Sequence, residues 1–490
     1  MNNRTAILPL LAASLLLSLL YLPPVNIVFD DSTIFTYTGR VIAHGGVPYR
    51  DVFDHKPPLI FFFNYAGLLL GPWGLWLIDA VLVMLVTIPF FRLCQKHGLA
   101  WPWIPPILFN LLLRNYEVCW GFGMTREYTA IFLLLFFCIL LNRSRYSYFW
   151  MGLLTAATFF MQQDQVIILL PFWLHALTTR PTPTSSTPTT SAPTSLARNL
   201  LLSAAGFLTL SAPILLYFGG HHALSWFWEC AFQFNLSWYT EKQPLIIHFH
   251  SIKEGLERTQ LQLTFLLALA AACCALLLQT TKKGLVTAAL TAVLLSFISE
   301  YLSGNLILGH AFYYYFLPLS ASLPILVFTV WAYTKEDFLV GRKSQAFYGF
   351  LLCLLPFYNA LQHGTHLTTH DHTLQKTAPG LIWLRQQHLQ DHQLFVFGSN
   401  DWIYLYNQLD IIAPSRWVYQ HFWTNIPGWD ADHRQLRTIT EDLLRHRTKY
   451  VFCDLRSFEW KDPSARTYWL SFLQQYYQPV PDLPLIWQLK

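Results

Sequence analysis

Charge is scarce in this chain. Asp, Glu, Lys and Arg make up only 12% of its 490 residues, about half the share usual for a soluble globular domain. The net charge of +5 is spread over many loops, which excludes the concentrated basic footprint of a nucleic-acid binder. Eight cysteines occur, yet no CxxC and no Cys/His pair at zinc-finger spacing. Cys138, Cys273, Cys274 and Cys353 lie inside apolar runs, Cys94 ends one, and Cys119, Cys230 and Cys453 are far apart. That excludes a disulfide framework and leaves them as small apolar residues. No GxGxxG follows the strand-like run Leu394-Phe395-Val396-Phe397-Gly398, so a dinucleotide site is not expected there. No duplicated halves are visible, which disfavours a repeat-built transporter. No small-residue cleavage site follows the apolar Ile7 to Tyr21 stretch, where Leu22-Pro23-Pro24 stands, so a retained first span is expected.

What the chain has instead is apolar blocks of membrane-crossing length. They fall at residues 5–22, 74–92, 101–114, 128–142, 148–162, 165–178, 199–218, 260–280, 284–302, 311–333 and 346–361. The expectation is an α-helical polytopic membrane protein of about 11 transmembrane helices, with a C-terminal soluble α/β domain. The apolar stretch Leu59 to Leu70 is short and suits a helix lying in the interface. Basic residues mark one face: Arg4, Arg92/Lys96, Arg143/Arg145, Arg180/Arg198, Lys282/Lys283 and Lys335/Arg342/Lys343 fall in alternate loops. By the positive-inside rule these loops are cytoplasmic. The first loop (23–73), the 115–127 and 219–258 loops and all residues after 361 then lie outside. Residues 180–198 form a Pro/Thr/Ser-rich segment with no apolar core, read as a disordered cytoplasmic linker. Residues 1–361 make the membrane module and 362–490 an outward domain, in which short apolar runs alternate with amphipathic stretches near 402–409, 433–446 and 464–476. That alternation suggests a parallel sheet.

The first loop carries the densest chemistry. Asp30 and Asp31 stand at a span end, where charge is costly without a role. Loop solvation or a helix N-cap explains them about as well. A carboxylate there can act as general base for an acceptor hydroxyl or amine. Lys56 precedes Pro57-Pro58, which fix the backbone. It can neutralise a lipid phosphate or simply anchor at the interface. Arg40, His44, Arg50 and His55 can assist. The second outward loop offers Arg114, Glu117, Arg126 and Glu127. Arg126-Glu127 is either an interfacial ion pair or part of the same cavity, with Glu127 as a ligand for magnesium, manganese or zinc. Gln162, Gln163, Asp164 and Gln165 read best as a turn. Tyr313, Tyr314 and Tyr315 fit an aromatic belt, beside His310 as a phosphate or sugar contact. His248 and His250 are weak metal candidates. Trp226, Trp228 and Trp238 suit a sugar or a lipid tail.

Taken together, Asp30-Asp31, Tyr37-Thr38-Gly39-Arg40, Gly45-Gly46-Val47-Pro48-Tyr49-Arg50-Asp51 and Asp54-His55-Lys56-Pro57-Pro58 resemble the first periplasmic loop of GT-C fold glycosyltransferases. The nearest branch resembles bacterial relatives of protein O-mannosyltransferases (glycosyltransferase family 39/83) and of the lipid A aminoarabinose transferase. Weaker likenesses lie at Thr125-Arg126-Glu127, at Gly309-His310 to Pro318, and at Phe397-Gly398-Ser399 with Ile403-Tyr404. The resemblance implies an inverting transferase in the bacterial inner membrane, using a polyprenyl-phosphate-linked sugar as donor. The acceptor is a glycan, lipid or protein on the periplasmic side. It makes Asp30 the catalytic carboxylate, Lys56 the contact to the donor phosphate, and Glu127 a metal or acceptor residue. The chain departs from the pattern in having Asp31 where Glu is usual, Ile34 and Phe35 where some members carry Arg, and Gln163 where Lys is frequent. The competing expectation is a flippase for lipid-linked saccharides.

Overall fold

A computed structural model of the chain describes residues 7–22, 31–115, 123–179, 196–239, 253–254, 256–257, 261–277, 280–302, 313–334, 341–369, 379–420, 430, 432–455, 460 and 462–490. Each of the eleven apolar blocks carries a helix: Ile7–Leu19, Gly74–Lys96, Ile104–Leu113, Thr125–Leu141, Ser147–Met161, Val166–Thr178, Leu196–Gly220, Gln262–Leu277, Lys283–Leu302, Leu319–Tyr333 and Arg342–Thr369. Among the described residues, two of these, Gly74–Lys96 and Leu196–Gly220, are by themselves long and apolar enough to cross a membrane. Eleven crossings therefore remain a sequence-based expectation, with two supported by helix length and apolarity together.

What surrounds this helical body is visible in its outer surface. Helix Leu196–Gly220 buries Gly206, Ser211, Ile214 and Phe218, while Leu201 and Leu216 are 71% and 74% exposed. Leu8, Leu69, Leu277, Phe347 and Phe350 are likewise turned outward. An apolar surface of this extent is not stable in water and calls for lipid. Prolines inside these helices, at 89, 171, 213, 324 and 356, are tolerated when neighbouring helices satisfy the freed carbonyls. Helices Ser147–Met161 and Leu196–Gly220 pack through facing glycines. A Cβ on Gly152 would lie 2.0 Å from the Ser203 carbonyl oxygen, and one on Gly206 would lie 1.9 Å from that of Phe149. Small residues at such a contact allow close backbone approach.

The first loop is more regular than its polar sequence suggests. It opens with a helix, Asp31–Ala43, and closes with the helix Leu59–Leu69. The second buries Leu59, Ile60, Phe61, Asn64 and Gly67. Gly39 brings the two together, since a Cβ there would meet Tyr65 N at 2.8 Å.

The C-terminal region contains a four-stranded sheet of order β1-β2-β4-β3, with β1 Leu394–Phe397, β2 Tyr450–Cys453, β3 Tyr477–Val480 and β4 Leu483–Leu489. Only β1 and β2 pair in parallel; β4 runs antiparallel to both β2 and β3. The expected parallel sheet is therefore corrected to a mixed one. The physical reason is a two-residue turn at Pro481-Asp482, with Asp482 at φ 62°, which folds β3 back on β4 as a hairpin. The amphipathic stretches appear as helices Tyr404–Leu409, Arg434–Arg445 and Pro463–Tyr476. Strand alternation then makes layers. Phe395, Phe397, Val451 and Cys453 pack with Ile439, Leu443, Trp469 and Leu473 from the two longer helices. Leu394, Val396, Tyr450 and Phe452 face the other way and join the large core shared with the helical body.

Candidate functional site

The turn between the two first-loop helices is held by its own side chains. Gly45 takes φ 83°, and a Cβ on Gly46 would meet Val41 at 2.6 Å. Gly46 N donates to Val41 O, and Tyr49 N to Val52 O, each at 2.8 Å. Asp51 accepts from Val47 N at 2.7 Å and from Nε and Nη2 of Arg50, at 2.9 and 2.8 Å. Tyr49, buried and at φ 69°, donates through its hydroxyl to the Lys56 carbonyl at 2.7 Å. Asp54 accepts from Lys56 N at 3.0 Å. The glycines, tyrosine and aspartates of the motif thus fix the backbone that carries Lys56.

Lys56 Nζ lies 3.5 Å from Asp31 Oδ2, and both side chains are nearly buried. Asp31 is in the first turn of its helix, where the exposed amides favour a carboxylate. Its other oxygen accepts from the Tyr419 hydroxyl at 3.2 Å. The Tyr419 ring stacks on His55, centroids 6.3 Å apart and planes 9° apart. Nδ1 of His55 stands 2.7 Å from Asn235 Oδ1, and Asn235 Nδ2 donates to the His55 carbonyl at 2.8 Å. Four distant parts of the chain meet here: the start of helix Asp31–Ala43, the motif loop, the 219–258 region and the C-terminal domain. Beside them Arg416 lies over the rings of Trp226, 4.3 Å, and Trp417, 4.8 Å. Its carbonyl accepts from Phe53 N at 2.9 Å.

Burial dominates the electrostatics. Asp54 is fully inside, and one of its carboxyl oxygens has no hydrogen-bond partner among the described residues. Desolvation, with the Asp31 charge adding to it, raises its pKa to about 7 against the weaker pull of Lys56.

The remaining residues expected at the site fall into separate groups. Arg40 is about 13 Å farther along its helix from Asp31. It pairs with Asp410 and donates to the Asn407 carbonyl at 3.1 Å, joining the first loop to the C-terminal domain. Glu127 is buried and pairs with Arg114, whose other terminal nitrogen binds Asp79. Its second oxygen accepts from Gly123 N at 2.8 Å. Arg126 pairs with Asp164 at 3.1 Å and stands 3.8 Å above the Tyr315 ring. The turn expected at 162–165 is present as a 3-10 turn, Gln163–Gln165, and Gln162 and Gln165 both donate to Asp164 at 2.6 Å. Asp30, Glu117, His248, His250 and His310 lie outside the described residues.

A divalent cation at Glu127 does not suit this donor set. One Glu127 oxygen is taken by a guanidinium and the other by a backbone amide. Among the described residues no group of three or more His, Cys, Asp or Glu side chains is placed to hold a metal. Tyr419, Asn235 and Asp79 are not singled out from the sequence, and Asp54 appears there only as part of the first-loop motif. Asp79 had a signal, as a carboxylate within an apolar run. Tyr419 and Asn235 had none, since neither stands out among the polar and aromatic residues around it.

No protein-family model and no curated protein matches the chain. Among solved structures it is similar to the crystal structure of ArnT from Cupriavidus metallidurans bound to undecaprenyl phosphate. The two are 14% identical with a TM-score of 0.56, over 84% of this chain and 86% of that one. At that identity the likeness is one of fold: the chain has the architecture of ArnT, in keeping with the GT-C resemblance of its first loop.

Proposed function

We propose that the chain is an inverting glycosyltransferase that moves a sugar from a polyprenyl-phosphate-linked donor to a lipid, glycan or protein acceptor. The reaction takes place at the periplasmic face of the bacterial inner membrane. The observation that carries this is the buried Lys56–Asp31 pair, held by the first-loop motif and the Tyr419 hydroxyl. Secondary support comes from the shared fold, since that relative was crystallised with a polyprenyl phosphate.

The chemistry balances with groups of this chain. Asp30 takes the proton of the acceptor hydroxyl. The freed oxygen attacks the anomeric carbon in line, forming the new glycosidic bond. The bond from that carbon to the phosphate oxygen breaks, and its electron pair leaves with the polyprenyl phosphate. Lys56 stabilises the charge gathering on that phosphate in a dry site, where a cation acts more strongly than in water. Asp31 holds Lys56 in position, Tyr419 holds Asp31, and the His55 ring stacks on Tyr419. Arg40 serves the domain junction, and Glu127 with Arg114 and Asp79 braces the helices below. No step needs a metal.

The test is transfer of radiolabelled sugar from polyprenyl phosphate to membrane extract in liposomes, wild type beside Asp30→Asn. Label reaching product only with wild type is the expected result. Full activity in a folded Asp30→Asn protein removes Asp30 from the mechanism. No transfer by wild type from any donor, together with vectorial movement of lipid-linked saccharide, supports the flippase reading.

A further inference from the structure

The far end of helix Thr125–Leu141 is about 21 Å from Glu127, on the face marked by basic clusters. There a cavity of about 800 Å³ opens between helix ends. Arg143, Arg145 and Arg198 line it, with Ser144, Ser147 and Tyr148, and no carboxylate is among the described residues that line it. Ala176, Leu177 and Leu196 give it an apolar wall.

Its floor is built in advance. Arg143 donates to the Thr179 carbonyl at 3.2 Å, to Thr179 Oγ1 at 3.0 Å and to the Ala176 carbonyl at 3.4 Å, capping helix Val166–Thr178. Tyr148 adds a bond to the Ala176 carbonyl at 2.9 Å. The Ser144 and Ser147 hydroxyls face each other at 3.2 Å. Arg145 and Arg198 are exposed at the rim. Orientation rules alone place arginines in this region. They do not require three of them to converge on one concavity with a hydroxylated floor and an apolar side. That combination matches a phosphodiester head group with acyl chains, since guanidinium groups bind phosphate oxygens in a fork. Basic pockets between helix ends on this side of a membrane bind anionic lipid head groups.

We propose that this cavity binds the phosphate head group of an anionic phospholipid, with Arg145 and Arg198 as its ligands and Leu177 and Leu196 along its chains. The proposal stands apart from the transfer reaction on the other face. It is tested on the full-length protein in detergent, mixed with phosphatidylglycerol or phosphatidylcholine and examined by native mass spectrometry. Wild type is expected to retain phosphatidylglycerol at least about fivefold over phosphatidylcholine, and the R145A/R198A double variant to lose that preference at unchanged melting temperature without lipid. Equal preference in the two proteins overturns the proposal. Stabilisation of wild type by inorganic phosphate to the same degree as by phosphatidylglycerol also overturns it, and assigns the cavity to a soluble anion.

Discussion

Asp54 shows how burial sets chemistry at the scale of one residue. Its carboxyl lies under the Lys56 backbone, and its pKa is raised from 3.8 to about 7, first by desolvation and then by Asp31. The folded chain therefore holds this proton more tightly than the unfolded chain. The stabilisation is complete below about pH 4 and is lost as pH rises through about 7. Thermal melts across this range should show wild type losing stability relative to Asp54→Asn as pH rises. Parallel profiles would show that Asp54 is ionised in the native state. Residues around it differ in how readily the sequence discloses them. Lys56 and Asp31 stand in a short, unusual loop, so their chemistry is visible in the primary structure. Tyr419 reaches Asp31 across 388 positions, a contact that only tertiary folding creates. Glu127 reads as an ion-pair residue or an oxygen ligand in the sequence, and its partner proves to be Arg114, which also holds Asp79 from inside an apolar run. The guanidinium between them turns the group into a buried ion network, where loss of one partner is strongly destabilising.

At the scale of elements, apolar runs forecast the helices well because each helix must satisfy its own backbone groups in lipid. The hairpin β3–β4 is legible only in part: Leu483 to Trp487 is a short apolar run in the sequence, whereas Tyr477-Gln478-Pro479 has no clear alternation and is a strand only by pairing with β4. How helices pack is likewise silent in hydropathy but visible in glycine. Gly152 and Gly206 each face a carbonyl of the partner helix. Gly206→Leu should force Ser147–Met161 and Leu196–Gly220 apart, at a cost of about 1–3 kcal/mol. The expected readout is a lowered melting temperature and a broadened size-exclusion peak in detergent. A variant that melts with wild type would contradict the contact.

At the scale of the molecule, the C-terminal region is less separate than its composition suggests. One face of its sheet has a core of its own, while the other merges with the core of the helical body. Its loops grip the first-loop helix at several points: Asn407 Nδ2 donates to the Thr33 carbonyl at 3.0 Å, and Ala413 N to the Tyr37 hydroxyl at 2.8 Å. Arg40 pairs with Asp410, and Tyr419 reaches the carboxylate beside Lys56. Composition separated the region because its apolar runs are short after residue 361 and alternate with amphipathic stretches. It could not show that the domain closes over the first loop, which depends on side chains contributed by both.

The central claim is that Lys56 supplies the buried cation for a lipid phosphate. It is tested most directly by equilibrium binding of a polyprenyl phosphate to full-length wild type and Lys56→Met protein in nanodiscs. The uncharged polyprenyl alcohol serves as control for folding and for chain contacts. The phosphate is expected to bind the variant at least about tenfold more weakly, roughly 1.4 kcal/mol, with the alcohol binding both proteins alike. Equal phosphate affinity in the two proteins would contradict the assignment of Lys56 and with it the donor site.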